Sequence, residues 1–201
     1  DPTVRVIVNT GNGRAFQTGL DVVQLARDPE ALRKSSRQTR DAQLRLTAWH
    51  NQVWKPVICA VNGVCAGGGL HFVADADIVL ASSEASFVDP HVSIGQVSAY
   101  ETIALVRTSP AESILRLALV GRRERLGAER ARQLGVCSEV VAPDALRDRA
   151  AEVAELVART PPEVAATIKR ALWRTLEVGR GDDVLVHRVD AGGRAGPAGP
   201  E

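Results

Sequence analysis

The stretch "KPVICAVNGVCAGGGLHFVADADIVLAS", residues 55–82, decides the fold of this chain. Its apolar run at 57–61 predicts a buried strand, and the run at 78–82 predicts another. Between them, three consecutive glycines at 67–69 open a helical pattern that contains His71. Strands that alternate with helices along the chain predict an α/β fold, or an α/β fold with an α-helical C-terminal extension.

The three glycines indicate a place where a ligand approaches the backbone closely, because glycine has no Cβ. The first N–H groups of a helix lack internal partners and carry partial positive charge, which suits a developing oxyanion such as a thioester enolate. Phosphate loops and tight packing also use glycine. The Lys-Ser/Thr of a Walker loop and the acidic residue of a dinucleotide fingerprint are both missing.

Composition excludes several classes of function. Lys and Arg total 25 against 24 Asp and Glu, so the net charge of +1 gives no support for nucleic-acid binding. Three cysteines without framework spacing argue against disulfides and fit a reducing cytoplasm, and Cys59 and Cys65, in apolar runs, are expected to be core residues without the neighbours of a metal site. No apolar stretch reaches 18 residues and no signal peptide is recognisable, so we expect a cytoplasmic protein without a membrane partner.

Before residue 55 we predict a first strand and turn over 4–13, a helix capped near Asp21 and a long amphipathic helix over 29–53. After residue 82 we predict a short strand at 85–89, a helical pattern at 98–120 and a helix at 126–136 that ends at Gly135. A strand within 137–142 follows, then an amphipathic helix and a further helix at 163–178. The glycine- and proline-rich tail at 191–201 is expected to be disordered.

"RAFQTGLDV" (14–22) and residues 55–82, in that order, resemble the two signature segments of the crotonase (enoyl-CoA hydratase/isomerase) superfamily. The similarity covers nearly all of residues 3–175 and continues through "ASFVDPHVSIG" (85–95), "LALVGRRERLGAERARQLGVCSEVV" (117–141) and "PPEVAATIKRAL" (161–172).

The resemblance implies an α/β crotonase (ClpP-like) spiral of ββα turns at 1–141 and a C-terminal helical module at 142–190, which is followed by the disordered tail that composition predicts at 191–201. The strand that the family places before residue 3 is expected to be missing. The resemblance also implies a homotrimer or dimer of trimers that binds an acyl-CoA thioester, with coenzyme A as part of the substrate and no other cofactor.

The resemblance further places the two backbone donors of an oxyanion hole at Leu20 and Gly68. It assigns coenzyme A binding to a wider set of residues: Gln17, Thr18, Gly19, Leu20, Asp21, Gly67 and Gly68.

The sequence departs from the family's hydratases at both catalytic glutamates, where it has His71 and His91. Histidine titrates near neutral pH and can act as base, acid or nucleophile. Three hypotheses follow: an enzyme with altered, hydrolytic or C–C-cleaving chemistry; a specialised hydratase; or a non-catalytic acyl-CoA binder or assembly protein. A neutral imidazole has only one lone pair with which to accept a hydrogen bond, so two histidines would position a water less well than two carboxylates.

Two acidic residues are additional candidates. Asp89 could orient the imidazole of His91 if both lie on one face of a strand, but a solvated turn carboxylate is the favoured interpretation. Glu101 could reach the acyl pocket. Asp77 matches a structural position of the family, Lys169 is expected to be an exposed helix residue, and His50 and His187 are expected on the surface.

Overall fold

The computed structural model describes residues 1–19, 27–28, 30, 45–98 and 100–176. Within them, the strands are β1 (Ile7–Thr10), β2 (Ala15–Gln17), β3 (Val57–Val61), β4 (Val64–Ala66), β5 (Ile78–Ser82), β6 (Ser86–Val88), β7 (Leu126–Gly127) and β8 (Glu139–Val141). They form two four-stranded sheets, in the orders β1-β3-β5-β8 and β2-β4-β6-β7. All neighbours are parallel except the antiparallel pair β6 and β7. From β1 to β6 consecutive strands alternate between the two sheets, which is the predicted spiral; β7 stays in the sheet of β6, and β8 returns to the other sheet.

Six α-helices occur among the described residues: α1 (Gly69–Ala74), α2 (Tyr100–Leu105), α3 (Ala111–Val120), α4 (Ala128–Gln133), α5 (Leu146–Ala158) and α6 (Pro162–Thr175). Short 3₁₀ turns span His91–Ile94 and Gly121–Arg123. The helical pattern predicted at 98–120 is divided into α2 and α3. Pro110 precedes α3 immediately, where its fixed φ suits a helix start and disfavours an uninterrupted helix.

The core lies on both faces of β3, whose five residues are all buried. Cys59 and Val61 pack into a cluster with Cys65 and Phe87, whereas Ile58 and Ala60 pack with residues of α5 on the opposite face. Side chains alternate across a strand, so this fully apolar run covers both faces of a parallel sheet. All three cysteines are buried and free; burial was predicted for Cys59 and Cys65, and burial raises the pKa of Cys137 to about 11.

Two regions differ from the sequence predictions. Residues 45–53, predicted as the end of a long helix, form turns, and the rest of that helix and the cap at Asp21 lie almost wholly outside the described residues. The three-residue strands β2 and β4 were not predicted, because runs this short carry no readable periodicity.

Asp77 fastens the C-terminal helix α6 to the sheet. Its carboxylate accepts hydrogen bonds from the Val57 N–H at 2.7 Å and from Trp173 Nε1 at 2.7 Å, and it pairs with Lys169 Nζ at 2.7 Å. Lys169 also donates to the backbone oxygen of Lys55 and is 5% exposed, so the prediction of an exposed lysine was wrong. Among the described residues, every helix falls short of the length and apolarity that a membrane crossing requires.

Candidate active site

The glycine turn between β4 and α1 brings three backbone segments together. Gly67 has a left-handed φ of +50°, and its N–H donates to the Val88 oxygen at 3.3 Å. A Cβ on Gly69 would lie 2.4 Å from the Gln17 oxygen, so only glycine lets α1 pack against β2. Gly68 is partly exposed between two buried glycines, and its N–H has no acceptor among the described residues. The turn therefore presents one accessible backbone donor.

The predicted coenzyme A segment begins at the same place. A Cβ on Gly68 would lie 3.5 Å from the Gly19 Cα, so these two backbones are in contact. Gln17 Oε1 accepts the Gly19 N–H at 2.6 Å, and Gly19 itself has a φ of +89°. Thr18 lies between them, whereas Leu20 and Asp21 are outside the described residues, and the second expected donor remains a prediction.

His91 forms a tight pair with Asp89. Its Nδ1 lies 2.6 Å from Asp89 Oδ1, which also accepts the His91 backbone N–H at 3.1 Å, and Asp89 is fully buried. The favoured interpretation, a solvated carboxylate, was therefore wrong. The two residues meet through an Asx turn around Pro90, after β6 has ended, and not through the strand spacing that we expected.

The surroundings shift the pKa values of both partners. The hydrogen bond to Asp89 raises the pKa of His91, burial opposes this, and the charges of Glu101 and Asp89 add to the increase. Burial alone would raise the pKa of Asp89, but hydrogen bonds from His91 and Ser98 lower it below its ordinary value. Asp89 is therefore an ionised partner that holds the imidazole in one orientation.

Glu101 connects the two histidines. Its Oε1 lies 3.3 Å from His71 Nε2 and 3.8 Å from His91 Nε2, and both Glu101 and His71 are buried. Burial would raise the pKa of Glu101, yet the hydrogen bond and charge of His71 lower it. The fold thus brings the predicted residues 71, 89, 91 and 101 into one chain of contacts.

This chain of contacts lies against the glycine turn. A Cβ on Gly67 would lie 3.8 Å from His91 Cε1, so the imidazole and the turn are direct neighbours. A base and a backbone donor in one place can act together on a carbonyl group. A separate cavity of about 370 Å³ beneath α6 is lined by Asp77 and Trp173, among others, and includes none of the histidines.

His50 is the residue that the sequence reasoning missed. Predicted on the surface, it packs edge-on against His71 with ring centroids 5.9 Å apart, and its Nδ1 lies 3.5 Å from Asp75 Oδ2. The Thr47 hydroxyl lies 2.8 Å from each of those two atoms. No sequence signal pointed to this contact, because His50 belongs to a region that reads as a helix but folds as turns.

Comparisons with known proteins identify the class to which this fold belongs. The family model described as Enoyl-CoA hydratase/isomerase matches residues 1–189. A crystal structure of an enoyl-CoA hydratase/isomerase from Mycobacterium paratuberculosis is 34% identical with a TM-score of 0.74, over 92% of this chain and 71% of that one. The chain therefore belongs to the enoyl-CoA hydratase/isomerase family, the crotonase superfamily.

Individual relatives carry several activities in their names. The chain is 35% identical to (E)-benzylidenesuccinyl-CoA hydratase of Thauera aromatica, over 85% of this chain and 65% of the relative. It is 34% identical to 1,2-epoxyphenylacetyl-CoA isomerase of Escherichia coli, over 86% of this chain and 66% of the relative. The chain thus spans about two thirds or less of the length of these relatives.

Proposed function

We propose that this chain processes acyl-CoA thioesters by histidine-based acid/base chemistry, with a thioester oxygen held at the Gly68 N–H. The observation that carries the proposal is the Asp89–His91 pair, with Nδ1 and Oδ1 2.6 Å apart, set against the glycine turn. Family membership supports the acyl-CoA substrate. The Leu20 N–H is the proposed second donor.

A hydrolytic or C–C-cleaving reaction fits these groups best. In both reactions water attacks a carbonyl carbon, and negative charge develops on a carbonyl oxygen. Neutral His91 with its Nδ1–H on Asp89 has a lone pair on Nε2, which can accept the proton of that water. In this proposal the Gly68 N–H stabilises the oxyanion, and the proton that His91 takes from water passes through Glu101 to His71, which returns it to the leaving group.

Hydration of an enoyl-CoA is the second candidate. Glu101 favours it, because this carboxylate stands between the two histidines that replace the hydratase glutamates. A carboxylate accepts several hydrogen bonds and can help to position a water that the imidazoles alone would hold poorly.

The experiment is a panel of enoyl-, β-keto- and aroyl-CoA esters, beginning with phenyl-bearing acyl groups because two relatives carry such groups in their names. Release of free thiol reports hydrolysis, and absorbance of the enoyl thioester reports hydration. We expect turnover that H91Q and H71Q each abolish and that E101Q reduces. Esters that bind without turnover in every case would establish the non-catalytic binder instead.

The proposals on cofactor, assembly and location rest on what family membership implies. Coenzyme A enters as part of the substrate and no other cofactor is needed. The assembly is a homotrimer or dimer of trimers, and the location is cytoplasmic. Sedimentation equilibrium of the purified chain tests the assembly.

A further inference from the structure

We propose that His50, His71 and Asp75 form a binding site for a divalent transition-metal ion of the zinc class. Each of the three offers one ligand atom, and these atoms all lie within 4.8 Å of one another. Two imidazoles and a carboxylate are the donor set of three-ligand zinc sites, which leave a fourth position for water or substrate.

The backbone supplies two of the ligands together. His71 and Asp75 are one helical turn apart, and the Asp75 N–H donates to the His71 oxygen at 3.0 Å. Residues four apart on a helix lie on the same face, so both side chains leave α1 on one side. Both are buried, at 4% and 5% exposure, which removes them from competing water.

The third ligand comes from the turns at 45–53. His50 Nδ1 lies 3.5 Å from Asp75 Oδ2, close to the edge of about 3.4 Å expected for a tetrahedron with metal–ligand bonds of about 2.0–2.2 Å. Thr47 Oγ1 lies 2.8 Å from both atoms and bridges them. The separation of the His50 and Asp75 ligand atoms is therefore close to that of a zinc site, and the ligand atom of His71 lies within 4.8 Å of both.

The donor chemistry selects the ion. Imidazole nitrogen favours zinc, cobalt, iron or copper, whereas calcium and magnesium prefer sets made of oxygen alone. His71 also contacts Glu101 through Nε2, and an imidazole has a second nitrogen to offer. The sequence predicted no metal site, because its three ligands are assembled by tertiary contacts and not by a short motif.

The test uses untagged protein freed of metal and titrated with Zn²⁺ alone in a calorimeter, with a parallel Co²⁺ titration followed by visible absorption. We expect one ion per chain, a d–d spectrum typical of low coordination number, and no response to Mg²⁺. H50Q, H71Q and D75N should each weaken Zn²⁺ binding by about 10-fold or more, the lower limit seen even for outer-shell changes at such sites.

Two control variants keep the test sharp. D144N and E84Q each remove an exposed turn carboxylate outside the ligand set. Both should bind Zn²⁺ as the unsubstituted chain does. Circular dichroism checks that each variant folds, and His50, on a half-buried turn, can be replaced with least risk to the core. Absence of stoichiometric binding, or equal binding by H50Q and the controls, overturns the proposal; neither result depends on turnover.

Discussion

Alanine substitutions at the three consecutive glycines should have three different effects on stability. A Cβ on Gly69 would lie 2.4 Å from the backbone oxygen of Gln17 and 3.2 Å from Cys65 Sγ, so a strand must move. Overpacking of this kind costs about 1–3 kcal/mol. At a middle value of about 2 kcal/mol, the melting temperature should fall by roughly 4–8 °C for a chain of this size.

The other two glycines are matched controls within the same turn. Gly67 has a φ of +50° and its Cβ would meet only ordinary contacts, so G67A should cost about 1–2 kcal/mol through backbone strain. Gly68 has a φ of −53°, and its Cβ would lie 3.5 Å from Gly19 Cα, so G68A should stay within about 0.5 kcal/mol of the parent or stabilise it.

Chemical and thermal unfolding of the three variants gives the comparison directly. The expected order of stability is G68A, then G67A, then G69A. If G68A is destabilised as much as G69A, the turn does not have the geometry on which the accessible Gly68 N–H depends. The reasoning about the oxyanion would then fail with it.

Three further predictions concern other parts of the chain. Since the bond to Asp89 raises the pKa of His91, D89N should lower that pKa, and an NMR titration of the ring should show it becoming neutral at lower pH; an unchanged or higher pKa contradicts the pairing. K169M should cost about 2 kcal/mol in denaturant unfolding, because it removes the charged hydrogen bond from Lys169 to the Asp77 carboxylate, while an effect under about 1 kcal/mol would show that this ion pair does not hold α6 in place. Cys137, with a pKa raised to about 11, should react slowly with a thiol reagent at pH 8 in the folded chain and rapidly in denaturant; equal rates would show that it is not buried.

The sequence predicted the fold well where long apolar runs specify it. The runs at 57–61 and 78–82 are the strands β3 and β5, and the helix after the glycines is α1. The strands β2 and β4 have three residues each and depend on pairing with the neighbouring turn of the spiral, which no local pattern encodes. The sequence analysis missed these two strands because long-range pairing, and not a local pattern, makes them extended.

The candidate site was predictable only where its residues lie in local sequence motifs. His71 and His91 were found because each replaces a glutamate in a recognisable motif. The depth of Asp89 was not predictable, since an Asp-Pro-His turn looks solvent-exposed in sequence. The approach of His50 to His71 joins residues 21 positions apart through turns that resemble a helix in composition.

The contacts that Asp77 makes with Lys169 and Trp173 of α6 have a consequence for the order of folding. They join α6 to residues about 96 positions earlier, and their acceptor oxygens are in place only after β3 and β5 have paired. If so long a loop closed before the sheet formed, the loss of chain entropy would not be offset by these contacts. Attachment of α6 is therefore a late event, and weakening it should accelerate unfolding while leaving the refolding rate nearly unchanged in stopped-flow measurements.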